Sequence, residues 1–316
     1  MGIPATIEKR KTASTLPQFN KVGPSFASDF LAGGLATIAA KTIMAPIERM
    51  KLLLQVQYVH TDISPERRYK GLVDCLQRVY REQGVLSFWR GNAVNVVRHI
   101  PTQALNFSLK ERFRSLYLTG VPINHFWTFL SLSLLSGASA GAISLAVLYP
   151  LDFARTRVGT DVRASGSRQY KGSVDCLRQT YSREGMRGMY RGFDIALVGT
   201  VTWRALYFGL YDTLTTRFLG GRQGGTLQQR WGIAQVVTSA AGTLVYPIDS
   251  VRRRMMMEAG RPQRMYTSSF HCIQSVLATE GFRGFYRGLS ANLLRGVGTS
   301  ALLVMYDEIR VMFSRI

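Results

Sequence analysis

Six stretches of the chain are long, mostly apolar and sparsely charged: residues 26–56, 92–116, 128–158, 193–218, 229–257 and 289–313. None holds a clean apolar run of about 18 residues, so hydropathy taken alone falls short of a membrane-spanning signal. Each is nevertheless too apolar for a surface helix with a polar stripe of ordinary width. Their few charges need a polar interior to face, because lipid penalises a bare charge by about 3 kcal/mol or more. A helix with one lipid face and one watery face meets both conditions. Six of them around a central cavity predict an all-α membrane protein. Small residues at Gly137-Ala-Ser-Ala-Gly141, Gly33-Gly34 and Ala240-Ala241-Gly242 predict close helix–helix approach.

The polar segments carry a second pattern. The long loops at 56–91, 158–192 and 257–288 hold many Arg and Lys, whereas the connection from Ser115 to Phe129 holds none. Each long loop includes a short amphipathic piece, such as Leu72 to Arg81, suited to lying along a membrane surface. The loops also repeat. A proline followed by an acid and a base occurs as Pro46-Ile-Glu48-Arg-Met-Lys51, Pro150-Leu-Asp152-Phe-Ala-Arg155 and Pro247-Ile-Asp249-Ser-Val-Arg252. Each leads to a tyrosine (Tyr69, Tyr170, Tyr266), and then, at offsets of 6, 15 and 22, to a cysteine, a glycine and the last residue of an aromatic-Arg-Gly triplet. Those triplets end at Gly91, Gly192 and Gly288. Offsets held three times divide the chain into a polar extension (1–25) and three related units, 26–120, 121–220 and 221–316.

Composition narrows the function. A formal net charge of +21 over 316 residues requires an anionic counterpart: nucleic acid, a lipid surface or an anionic solute. Nucleic-acid binding by a soluble helical protein fits poorly, since the arginines recur at repeat positions among apolar helices. The three cysteines are equivalent repeat positions without paired spacing, which argues against a disulfide framework or a zinc site and for small buried side chains. The first residues lack the apolar core of a secretory signal, and an Arg-rich transit helix is not evident. The four histidines, His60, His99, His125 and His271, form no catalytic order. His99 is read as a cavity-lining residue. The chain is expected to be no enzyme and to need no metal.

Proline within a helix removes a backbone hydrogen bond and kinks it. Acid and base follow Pro46, Pro150 and Pro247 by two and five residues, near the ends of the odd-numbered helices. Three copies around an axis form a ring in which the acid of one repeat reaches the base of the next. Paired, such a ring closes a cavity; hydrated, it opens. Ion pairs suit this because their net free energy is small. Gln55, one turn past Lys51, is placed to brace a pair. A kink with surface ion pairs is the alternative, and three copies in register favour the gate.

These residues resemble the mitochondrial carrier family over about residues 26 to 313. The stretches Arg252-Arg-Arg-Met-Met-Met257, Phe88-Trp-Arg-Gly-Asn92, Pro101-Thr-Gln-Ala-Leu-Asn106-Phe and Tyr306-Asp-Glu-Ile309 are similar to its ADP/ATP carriers. The resemblance implies a six-helix, three-fold pseudosymmetric barrel in the mitochondrial inner membrane. It implies counter-exchange of ADP for ATP by alternating access, cardiolipin as a structural lipid, and function as a monomer. With basic loops kept on the matrix side, both termini face the intermembrane space. It further implies phosphate binding by Lys41, Arg98 and Arg295, with Gly199, Thr200, Trp203, Asn106 and Arg253 completing the substrate site. The matrix gate would be Glu48, Lys51, Asp152, Arg155, Asp249 and Arg252 with Gln55. The cytoplasmic gate would be Glu111, Arg114, Asp212, Asp307 and Arg310 with Tyr211 and Tyr306. Arg98 and Arg295 each lie seven residues past Gly91 and Gly288, where the second repeat has Gly199, so the site is asymmetric. Glycine there is expected to leave room for a flat base. Arg254 and the methionines after it are expected to anchor at a lipid surface. Gly91, Gly192 and Gly288, ahead of helices, are expected at lipid phosphates.

The chain also departs from that pattern. Thr215 stands where a base is expected after Asp212. Lys110 stands at an aromatic position. Trp203 replaces the tyrosine expected to stack on adenine, Thr200 an aliphatic residue, and Val245 a serine. These departures leave open a carrier of another phosphorylated solute, nucleotide or cofactor, or a regulated proton leak.

Overall fold

A computed structural model describes residues 24–60, 63–119, 126–162, 169–220, 224–261 and 263–314. The polar extension, with Lys9, Arg10 and Lys21, lies outside them. So do the side chains of Tyr306, Asp307 and Arg310.

Among the described residues six helices are long: α1 (Pro24–Val56), α3 (Asn92–Leu118), α4 (Phe126–Gly159), α6 (Phe193–Leu219), α7 (Leu227–Met257) and α9 (Leu289–Ser314). Three shorter ones, α2 (Leu72–Gln83), α5 (Ser173–Met189) and α8 (Ser269–Glu280), lie in the basic loops. The long helices close into a ring, each touching the next in the order α1, α3, α4, α6, α7, α9 and back to α1. The odd members α1, α4 and α7 also touch one another, near their proline-bearing ends. Local sequence explains the ends. Thr226 accepts from the Gln229 amide and Gln229 accepts from the Thr226 amide, a capping box that starts α7. Gly84 and Gly281, both at positive φ, stop α2 and α8, and Gly185 (φ 64°) breaks α5 at the equivalent place.

One long helix, across Ser131–Gly159, is apolar enough over its length to cross a membrane by composition among the described residues. The others interrupt their apolar sequence with inward cations. The six long helices together expose large apolar side chains, among them Leu35, Ile43, Val97, Val147, Val198, Val236, Leu244 and Val297. Large apolar side chains exposed along helix after helix are matched by an apolar surround.

Three apolar clusters lie at the proline end, one around each tyrosine–cysteine pair. Each borrows from the next repeat. The Tyr69–Cys75 cluster takes Val162, the Tyr170–Cys176 cluster takes Met256 and Ala259, and the Tyr266–Cys272 cluster takes Val56 and Val59. Met255, Met256 and Met257 are all buried, and Arg254 is fully buried against Glu280 with a hydrogen bond to the Gly284 carbonyl. The expectation of lipid anchoring for this run is therefore corrected. Methionine is flexible enough to fill the uneven joint between repeats.

The cysteines are enclosed as expected for small packing residues. Burial pushes the thiols of Cys75, Cys176 and Cys272 up to about 12, from an ordinary 9.0. Their thiolate fraction at a given pH is about a thousandfold lower than that of an exposed cysteine. Maleimide labelling of the folded carrier at pH 8 should therefore be slower than that of the unfolded chain by at least about a hundredfold. Equal rates would show that the clusters are open in solution.

Candidate functional site

The proline motifs bring their charges together across the repeats. Lys51 donates to Asp249 at 2.9 Å, Arg155 pairs with Glu48, and Arg252 pairs with Asp152. Each pair joins the acid of one repeat to the base of the next, and together they make a closed ring. Gln55 donates to Asp249 at 3.2 Å from one turn below, where the sequence placed a brace. Asn95 donates to Glu48 at 2.9 Å, a contact that periodicity gave no sign of.

Beneath two of the bases lie tyrosines that sequence reading missed. Arg252 stacks over Tyr149 and Lys51 over Tyr246, each with its cation 5.3 Å from the ring centroid. Both rings are buried, and each directly precedes a motif proline. Their hydroxyls donate to the carbonyls of Arg191 and Arg287 in the aromatic-Arg-Gly triplets. The first repeat has Ala45 at this place, so its pair has no aromatic floor. A position shared by two repeats of three was the signal that would have found them.

The triplet glycines explain how the repeats interlock. Gly91, Gly192 and Gly288 all have φ between 74° and 83° and precede α3, α6 and α9. A Cβ at each would come within 3.1–3.2 Å of the backbone carbonyl of Arg155, Arg252 or Lys51, the ring base of the following repeat. They occupy helix starts, as the sequence predicts, and what the structure places against them is protein backbone.

Above the ring lies a cavity of about 490 Å³, lined by α6, α7 and α9 with Lys51 of α1. Its floor includes Lys51, Asp249 and Arg252, and its walls include Gly199, Thr200, Trp203, Arg204, Asn292 and Arg295. Arg98 faces Asp152 at 3.4 Å, and Arg253 reaches Asp249 at 3.4 Å and Asp152 at 3.6 Å. Lys41 is within electrostatic reach of Glu48, Arg98, Arg155 and Arg295. Around the ring, seven cations (Lys41, Lys51, Arg98, Arg155, Arg252, Arg253, Arg295) meet three carboxylates (Glu48, Asp152, Asp249). The surplus of four is what a multiply charged anion would neutralise. Arg295 touches Asn292 at 3.4 Å and has no carboxylate partner among the described residues.

Two expectations are corrected here. The space beside Gly199 is not vacant: a Cβ there would lie 2.8 Å from Ile248 Cγ2, so the glycine lets α7 pack against α6. The Gly137–Gly141 face of α4 receives a side chain instead of a helix. The Arg204 guanidinium donates to the Gly137 carbonyl and lies where a Gly141 Cβ would be. A Cβ added at Gly34 would meet nothing within 4 Å, so this glycine is not needed for a close helix approach.

At the opposite end, Glu111 and Arg114 are exposed and form no ion pair among the described residues. Thr215 is buried and donates to the Tyr211 and Asp212 carbonyls of its own helix. It therefore takes no part as a base. Asn106 is half-buried on α3 and is not among the residues lining the cavity.

Comparison with known proteins agrees with this arrangement. The family model described as mitochondrial carrier protein matches residues 23–120, 127–222 and 225–316. The chain is 48% identical over 290 residues to ADP/ATP translocase 3 of Bos taurus and of Homo sapiens, covering 90% of this chain and 97% of each relative. It is 48% identical over 291 residues to ADP/ATP translocase 4 of Macaca fascicularis, covering 92% of both chains. With three family matches in tandem over a ring of six long helices, the chain belongs to the mitochondrial carrier family and is a transporter, not an enzyme.

Proposed function

We propose that this carrier exchanges ADP for ATP across the inner mitochondrial membrane, the six long helices spanning it as a barrel with both termini toward the intermembrane space. The observation that carries the reading is the surplus of four positive charges around the ring, beside a cavity that ends in a stacking aromatic, Trp203. A nucleoside di- or triphosphate offers the matching groups, phosphates for the cations and a flat base for the indole. The names of the relatives point to the same pair of solutes.

In this reading the described arrangement is the state closed toward the matrix. The acid–base ring is the matrix gate, and substrate binding releases it by competing for Arg98 and Arg253, which reach its carboxylates, while Lys41 and Arg295 add to the pull on the phosphates. Coupling follows, because an empty site leaves the cations on the carboxylates and the ring shut. The cytoplasmic gate of Glu111, Arg114, Asp212, Asp307 and Arg310 with Tyr211 and Tyr306 closes in the other state, one pair short at Thr215. The protein works as a monomer. Cardiolipin binds at the helix starts after Gly91, Gly192 and Gly288 as a structural lipid, and no cofactor is needed. Trp203, Thr200 and Val245 support a second reading, a carrier for another phosphorylated solute.

Proteoliposomes containing cardiolipin, preloaded with ADP and offered labelled ATP or inorganic phosphate, test the proposal. ATP should enter only against internal ADP, phosphate should not enter, and Arg98→Ala should lower exchange by at least about a hundredfold. Uptake of phosphate without ATP would replace the proposal with the second reading.

A further inference from the structure

Arg204 lies beside Trp203 on the cavity wall that would meet the base, but its guanidinium donates to the Gly137 carbonyl of α4, and the residues around the indole offer no fixed reader of the base edge. Trp203 stacks on Tyr207 with centroids 5.2 Å apart and planes at 15°, and Tyr207 stacks on Tyr211 at 5.9 Å and 7°. One face of the indole is committed to this ladder. Among the described residues no ring covers the other. Around it, Thr200 spends its one hydroxyl proton on the Ala196 carbonyl at 2.8 Å, Ile248 fills the space at Gly199, and Val245 is apolar and buried.

The facing wall is polar but unselective. The carbonyl of Gln235 accepts from Ser300 at 2.6 Å and that of Asn292 from Arg295 at 3.4 Å, so each amide is left with its NH2 as a donor, which the N3 and N7 acceptors common to adenine and guanine satisfy alike. Thr238 and Ser239 also line the cavity. A hydroxyl donates or accepts by rotating about its C–O bond, so it satisfies the adenine and guanine edges alike. Stacking is equally tolerant, since every base has a π-face. Sites that hydrogen-bond a specific group reject analogues by roughly 10⁴-fold or more, whereas packing alone separates them by about 10–200-fold.

We propose that this site recognises its nucleotide by phosphate charge and by stacking on Trp203, without reading the base, so that guanosine phosphates are exchanged alongside adenosine phosphates. The inference rests on the nucleotide-exchange reading above and specifies its substrate class. A smaller pyrimidine ring covers less of the indole and should be carried more slowly.

The full-length carrier in cardiolipin-containing proteoliposomes, preloaded with ADP, would be offered labelled ADP, GDP and CDP at equal concentration. GDP should enter within about tenfold of ADP, and CDP more slowly than either. Trp203→Ala should lower all three while bringing CDP closer to the purines, because the stacking face is gone. Thermal shifts of the detergent-solubilised parent with ADP and GDP supply a reading independent of that variant's folding, and they should agree within a few degrees. ADP exchange with GDP at least a thousandfold slower would overturn the inference and leave the ADP/ATP reading intact. Exchange of no nucleotide would overturn both.

Discussion

Asp152→Ala should stop transport. The side chain is 2% exposed, and its carboxylate pairs with Arg252 while facing Arg98 at 3.4 Å and Arg253 at 3.6 Å. Alanine leaves three guanidiniums around an empty centre with no anion between them. Removing one partner from a buried pair costs about 3–5 kcal/mol, much of it the exposure of the remaining charge to a dry site. If the closed ring is an obligatory state, that cost lies directly on the transport cycle, and exchange in proteoliposomes should fall by a factor of roughly a hundred to a few thousand. Asp152→Glu keeps the charge and should recover part of the rate. Asp249→Ala should be milder, because Gln55 remains against Ser250 beside Lys51. Exchange by Asp152→Ala within threefold of the parent would show that the ring is not required.

Gly192→Ala should damage the fold by overpacking a seam between two repeats. The residue sits at φ 74°, and an added Cβ would lie 2.8 Å from Met255 Cβ and 3.2 Å from the Arg252 carbonyl. Neither neighbour is the free end of a side chain, so α6 must back away from α7. Left-handed backbone and overpacking each cost about 1–3 kcal/mol, about 3 kcal/mol or more together. At a few degrees per kcal/mol this lowers the melting temperature in detergent by roughly 10 °C. Gly209→Ala on the same helix is the matched comparison. Its Cβ would meet nothing within 4 Å, and helix propensity favours alanine there by about 1 kcal/mol, so that variant should melt no lower than the parent. Equal melting of the two variants would mean that the repeats do not interlock through this glycine.

Much of this architecture was legible because it is written three times. Offsets repeated from Tyr69, Tyr170 and Tyr266 located the units, and the spacing of acid and base after each proline gave both members of each ring pair and the brace at Gln55. What stayed hidden depends on the partner a side chain meets across a helix interface, which spacing along one helix does not encode. Ile248 beside Gly199 and Arg204 on the bare face of Gly137 and Gly141 are contacts between helices far apart in sequence. The buried run from Arg254 to Met257 was misread because a basic, methionine-rich segment has the composition of a lipid anchor. Its burial follows from Glu280, a carboxylate on another element that turns Arg254 inward. Tyr149 and Tyr246 were overlooked because the first repeat lacks their counterpart.

The seam between the first and third units sets the order in which the molecule can be made. Lys51 reaches Asp249 across 198 residues, Arg287 reaches Tyr58 across 229, and Arg261 reaches the Val59 carbonyl across 202. None of these bonds exists until α7 and the loop after it have been synthesised. Up to that point Lys51 is a cation in an apolar helix without its carboxylate, while Arg49 on the same helix is already served by Gly159 of the second unit. Assembly is therefore completed at one place, late, with every earlier helix held in position until it happens. Damage at this seam thus bears on how the molecule is assembled as well as on how it transports.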